Sequence, residues 1–213
     1  MPRSTARTRV LHVVYPGTKL LDLAGPLQIF HDAKDARGKA RYETILVSAL
    51  GGLVISDLGV ELTTRSVHTL RVQATDIILV PGGRGVFELD RKGALIEWLR
   101  TKTAAARIVA STCTGAFALA LAGLLDGRRA VTHWDDCEDL QHKHPEVTVD
   151  AAPIHIEDGR IWTSAGVTAG IDLTLAILER DLGREIALDI APRLVVYSKR
   201  PGGQAQFSGR LQQ

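Results

Sequence analysis

Cysteine is scarce: the 213 residues contain two, Cys113 and Cys137. Two thiols do not make a disulfide framework, so a cross-braced secreted scaffold is excluded and a reducing cytoplasm is the expected compartment. Neither sign of charge is in excess. The 26 Lys and Arg oppose 24 Asp and Glu, leaving +2, so the chain as a whole lacks the footprint of a nucleic-acid binder. Long apolar runs are missing too. None approaches the ~20 residues needed to span a bilayer, and no signal-peptide core precedes the first strand, so no membrane association is expected. Internal repeats and low-complexity tracts are also absent.

What is present is the profile of an ordinary globular domain, 45% hydrophobic and 23% charged, long enough to bury a substantial core. Arg3, Arg7 and Arg9 stand among Ser, Thr and Ala, so residues 1–8 are expected to form a frayed, flexible end. Val10 to Tyr15 then reads as a strand buried on both faces. Leu20 to Pro26 leads into a helix over about Leu27 to Ala36, with Pro26 at its start. Tyr42 to Ser48 is a second strand, followed by a glycine corner at Gly51-Gly52 and a short extended piece at Val60 to Thr64. Thr75 to Val80 is a strand stopped by Pro81-Gly82-Gly83. Ala94 to Ala106 is helical, with Leu95, Trp98 and Leu99 on its buried face.

The next stretch, Arg107 to Leu125, organises the rest. Ile108, Val109 and Ala110 open it as a strand. Ala116 to Leu125 closes it as an Ala/Leu-rich helix. Thr112, Cys113, Thr114 and Gly115 lie between with almost no loop. Such a corner forces a strained backbone and aims Cys113 past the carboxyl end of the sheet, where α/β proteins hold ligands. The new helix's N–H groups and dipole are expected to bias that thiol toward thiolate. The plainer alternative is a small buried packing cysteine.

After it, Ala130 to Trp134 reads as a strand, and Val147 to Val149 and Ile154 to Ile156 as shorter ones. Asp158-Gly159 signals a hairpin into Arg160 to Ser164. Helices follow over Thr168 to Leu182 and Arg184 to Tyr197, with Pro192 expected to kink the second or shorten its first half. Ser198 to Gln213 reads as a linker. Strands alternating with helices imply right-handed crossovers and one mostly parallel sheet with helices on both faces.

By this map the carboxyl edge of the sheet carries Asp22, Gly82 and Gly83, Cys113, and His133. Each has a plain reading beside the chemical one. Asp22 serves as a cap or turn carboxylate, or as an acid at the sheet mouth. Gly82 and Gly83 make a tight turn, or offer N–H donors to an anion. His12, within a buried strand, is a core histidine. Cys137, His142 and His144 invite a zinc reading, but their spacing from His133 matches no usual ligand pairing. No metal and no cofactor are expected.

These residues resemble the ThiJ/PfpI superfamily, flavodoxin-like relatives of class I glutamine amidotransferases, from Val10 to about Leu182. The resemblance implies a three-layer α/β sandwich with a mostly parallel central sheet. It puts the family's acid on Asp22, its cysteine on Cys113 and its downstream histidine on His133, with oxyanion donors at Gly82, Gly83 and Thr114. Leu21 to Pro26, Cys113 to Ala116 and Thr132 to Trp134 are similar to isonitrile hydratases. Proteases and related members usually carry His directly after the cysteine; here that residue is Thr114. Leu194 to Tyr197 and Lys199 to Ser208 resemble the end of the amidotransferase-like domain of AraC-family transcriptional regulators. That likeness implies a ligand-sensing domain over 9–198, with 199–213 as a linker toward an absent helix-turn-helix domain. Its expected partners are a small-molecule ligand, a second copy of the chain in a homodimer, and DNA only through the absent domain. The alternative is a cysteine-dependent hydratase or hydrolase.

Overall fold

The computed structural model describes residues 7–35 and 37–196, with Gly203. In chain order the elements are β1 (Thr8–Val13), α1 (Leu20–Asp32), β2 (Tyr42–Ser48), β3 (Gly52–Ile55), β4 (Glu61–Ser66), β5 (Ile77–Val80), α2 (Ala94–Lys102), β6 (Ile108–Thr112) and α3 (Gly115–Leu121). They continue with β7 (Arg129–Ala130), α4 (Cys137–Lys143), β8 (Thr148–Val149), β9 (His155–Asp158), β10 (Ile161–Ser164), α5 (Ala169–Leu182) and α6 (Arg184–Arg193).

Eight strands form one sheet in the order β3-β4-β2-β1-β5-β6-β10-β9. The six inner strands run parallel, and β3 and β9 join antiparallel at the two edges. Ile77 to Val80 and Ile108 to Ala110 are apolar at every position because both faces of their strands are covered. Successive side chains point to opposite faces, so each strand feeds two cores. Leu11, Val13, Ile78 and Val109 pack with Trp98, Leu99 and Leu119 on one side. Val10, Ile77, Leu79 and Ile108 pack with Ile29, Phe30, Leu173 and Ile177 on the other. The result is the three-layer, mostly parallel α/β sandwich expected from the sequence. Strand order reverses between β1 and β5, and such a switch point opens a crevice at the strands' carboxyl ends.

Several boundaries differ from the sequence reading. Helix α1 begins at Leu20, so Asp22 lies in its first turn and Pro26 inside it. Leu23, Pro26, Ile29 and Phe30 share its buried face, and packing that stripe outweighs the cost of an interior proline. The expected strand Ala130 to Trp134 shrinks to Arg129–Ala130, paired with β8 in a separate two-stranded sheet. There side chains replace the ladder: Val131 N–H donates to Thr163 Oγ1 at 2.9 Å, and Thr132 Oγ1 donates to the Cys113 carbonyl at 2.8 Å. Helix α6 stops at Arg193, one residue past Pro192 and short of the expected Tyr197. Thr8 already pairs with Tyr42 in β1, and Arg9 donates to Asp76 through Nε at 3.0 Å and Nη2 at 2.6 Å, so neither is frayed. Residues 1–6 and most of 199–213, where a flexible end and a linker were expected, lie outside the described residues.

Candidate functional site

Three strand ends build the site. At the end of β1, Tyr15 O–H donates to the Pro81 carbonyl at 2.6 Å, and Lys19 N–H donates to the Gly82 carbonyl at 2.8 Å. These bonds tie the start of α1 to the glycine loop after β5. Asp22 is thereby carried into the interior with no solvent exposure, and its Oδ2 accepts the Gly82 N–H at 3.1 Å. Its Oδ1 is buried without a partner.

At the end of β6, Cys113 adopts φ 53°. A non-glycine residue held there costs about 1–3 kcal/mol. The strain is maintained from both sides: Cys113 N–H is shared between the Ser164 and Ala165 carbonyls at 3.1 Å, and its own carbonyl accepts Thr132 Oγ1. The strand-to-helix corner therefore has the geometry its sequence demands.

The electrostatics run against the expected thiolate. Burial first, and then the Asp22 charge, push the Cys113 thiol up to about 12. The N–H groups of Thr114 and Val167 act on the sulfur in the opposite sense but do not prevail. Helix α3 spans only seven residues, too short a dipole to offset that desolvation. Burial also raises the Asp22 carboxyl, to about 6, against the pull of Gly82 N–H, Lys19 and the Cys113 thiol, a weak donor beside it.

Two of the three expected oxyanion donors are engaged elsewhere. Gly82 N–H serves Asp22, and Gly83 N–H donates to Thr114 Oγ1 at 2.9 Å. The N–H groups that act on the sulfur belong to Thr114 and Val167. Val167 escaped the sequence reading. It holds φ 47° despite β-branching, and no pattern around Gly166-Val167-Thr168 announces that conformation.

His133 reaches the same cleft by another route, at the start of a short turn over Trp134–Asp136. Its Nδ1 accepts the Asp135 N–H at 3.3 Å and lies 3.7 Å from Asp136 Oδ2. The ring lies so tightly over Gly166 that a β-carbon there would fall 2.1 Å from Cδ2. Among the described residues no hydrogen bond joins His133 to Cys113. The cleft has a volume of about 410 Å³ and is lined by Cys113, Thr114, Gly83, His133 and Val167, with Phe87 as an apolar wall. Lys19 and Arg84 contribute cations to it and Asp135 and Asp136 anions. That volume suits a small molecule. Among the described residues no cluster of His, Cys, Asp and Glu is arranged to hold a metal.

The sequence profile of the DJ-1/PfpI family matches residues 8–180. This chain belongs to the DJ-1/PfpI family. It is 32% identical over 178 residues to the isonitrile hydratase of Pseudomonas putida, covering 82% of this chain and 72% of the hydratase. It is 33% identical over 162 residues to the HTH-type transcriptional regulator CdhR of Pseudomonas aeruginosa, covering 75% of this chain and 47% of the regulator. The chain thus spans about half the length of that regulator. The crystal structure of Drosophila melanogaster DJ-1β superposes with a TM-score of 0.76 at 18% identity, covering 90% of this chain and all of that one; at that identity the likeness concerns the fold. In this family member the pocket lies beyond the carboxyl ends of β1, β5 and β6, which lead to its lining residues Lys19, Gly83 and Cys113.

Proposed function

We propose that this chain is the ligand-sensing, dimerising N-terminal domain of an AraC-family transcriptional regulator, acting in the cytoplasm. In this reading Asp22, Cys113 and His133 shape and polarise the pocket, and DNA is contacted only through a helix-turn-helix domain outside this chain. The observation that carries the proposal is the state of Cys113. Its thiol is pushed up to about 12, and no histidine bonds to it among the described residues, which suits a pocket wall better than a nucleophile. The match to about half of a helix-turn-helix regulator supports the same reading.

A second reading has one specific support, the Asp22 carboxyl raised to about 6 beside the thiol, where it can relay a proton. In an isonitrile hydratase-like reaction the Cys113 sulfur bonds to the isonitrile carbon, and the thiol proton passes by way of Asp22 to that carbon. Water then displaces the sulfur, releasing a formamide and restoring the thiol.

Incubation with simple isonitriles, following formamide with Cys113→Ala as control, separates the two. Turnover that disappears in the variant overturns the sensor-only reading. No turnover, with a ligand-dependent rise in melting temperature that is lost in His133→Ala, supports it.

A further inference from the structure

Beyond the end of α6, Gly203 is drawn against the body of the domain. A β-carbon on it would lie 2.0 Å from the Ala152 carbonyl oxygen and 3.0 Å from the carbonyl carbon. Backbone meets backbone there with no room for a side chain, a close approach that requires glycine. The loop that receives it, residues 150–154 between β8 and β9, is set in advance. Asp150 Oδ1 accepts the Ala152 N–H at 3.1 Å, and its Oδ2 accepts Arg129 Nη2 at 3.0 Å. An aspartate that bonds the backbone two residues on locks a turn.

Both flanks of this loop lead to the pocket. On one side Asp150 N–H donates to the Ala130 carbonyl at 2.9 Å. Two residues further, Thr132 donates to the Cys113 carbonyl, and His133 follows as a pocket wall. On the other side the Ile154 carbonyl accepts the Ala165 N–H at 2.8 Å. The Ala165 carbonyl in turn takes a share of the Cys113 N–H, and Val167 follows as a second pocket wall. By either route two hydrogen bonds separate the loop from the Cys113 backbone. Ile154 also packs with Val131 and Ala165 in one small apolar cluster, so the flanks move together. A ligand that displaces His133 or Val167 therefore shifts the carbonyl under Gly203, and a contact without slack responds by parting.

We propose that the contact of Gly203 with Ala152 is a relay that reports occupancy of the pocket to the chain beyond Gly203. The inference rests on the sensor reading above and adds the route by which the pocket signals. In a Cys137→Ala background, Cys113 alkylated with iodoacetamide at pH 10 stands in for an occupied pocket. The measurement is amide hydrogen exchange of the peptide containing Gly203, at one fixed pH. Alkylation is expected to speed that exchange at least about fivefold, with the exchange of β2 unchanged as the sign of an intact fold. Gly203→Val should exchange at the fast rate before alkylation and gain nothing from it, the non-additivity that shared linkage requires. Equal exchange before and after alkylation overturns the relay and leaves the sensor reading standing. An unmodified protein that already exchanges as fast as Gly203→Val overturns the seat itself. The isonitrile assay decides the sensor reading separately, with no bearing on these rates.

Discussion

Asp22 and Cys113 close on the same side of Gly82, where a β-carbon would lie 2.6 Å from Oδ2 of the first and 2.8 Å from Cβ of the second. The Asp22 carboxylate and the Cys113 side chain thus both press against the Gly82 backbone. In this buried pair the Asp22 charge makes the thiol harder to ionise, while the thiol, a weak donor beside the carboxylate, makes Asp22 easier to ionise. The chemistry of the pocket turns on this pair.

The first prediction concerns the thiol. With the Cys113 thiol pushed up to about 12, alkylation at pH 8 in a Cys137→Ala background should be slow and should rise about tenfold per pH unit toward pH 10. Asp22→Asn removes the second-largest cause of the shift and should speed labelling at any one pH. Fast labelling of the wild type below pH 8 would restore the thiolate expected from the helix terminus.

The second concerns stability against pH. The Asp22 carboxyl is raised from 3.8 to about 6 on folding, so its ionisation costs the folded state more than the unfolded one. The penalty is absent below about pH 4, grows between the two values and is complete above about pH 6. A shift of about two units corresponds to about 3 kcal/mol. Asp22→Asn keeps an oxygen for the Gly82 N–H and should therefore raise the melting temperature at pH 8, with the gain shrinking to nothing near pH 4. A pH-independent difference between the two proteins would refute this account.

The third contrasts two glycines. At Gly82 a β-carbon would also lie 2.9 Å from the backbone nitrogen of Thr114, and none of the three neighbours can yield. Gly82→Ala should cost about 3 kcal/mol or more in urea unfolding. At Gly25 the nearest atom is the Ile171 Cγ1 at 3.1 Å, part of a side chain able to rotate. There the helix-propensity gain of about 1 kcal/mol should leave Gly25→Ala near neutral. Equal losses at the two positions would contradict the packing described here.

Much of the frame was legible in the chain. The apolar runs at Val10, Ile77 and Ile108 announce buried parallel strands, and Leu95, Trp98 and Leu99 repeat at helical spacing, because both patterns are written in neighbouring residues. The Cys113 corner was legible for the same reason: a strand abutting a helix leaves its junction no unstrained conformation. The start of α1 was misread because Pro26 looked like a beginning, although Leu23, Ile29 and Phe30 keep helical spacing straight through it. The route of His133 was misread because the hydroxyls of Thr132 and Thr163 take over bonds that a longer strand would have made.

The sequence by itself determined the layers, the order of elements and which residue would stand at the strained corner. Only the tertiary structure decided the protonation of that residue, the engagement of Gly83 N–H by Thr114, the part played by Val167 and the seat of Gly203 against Ala152. The physical reason is one of range. Secondary structure follows from side chains a few residues apart, whereas the ionisation of Cys113 depends on how completely the fold excludes water from it. It depends as well on Asp22, which Gly82 holds in place from 60 residues away in the chain.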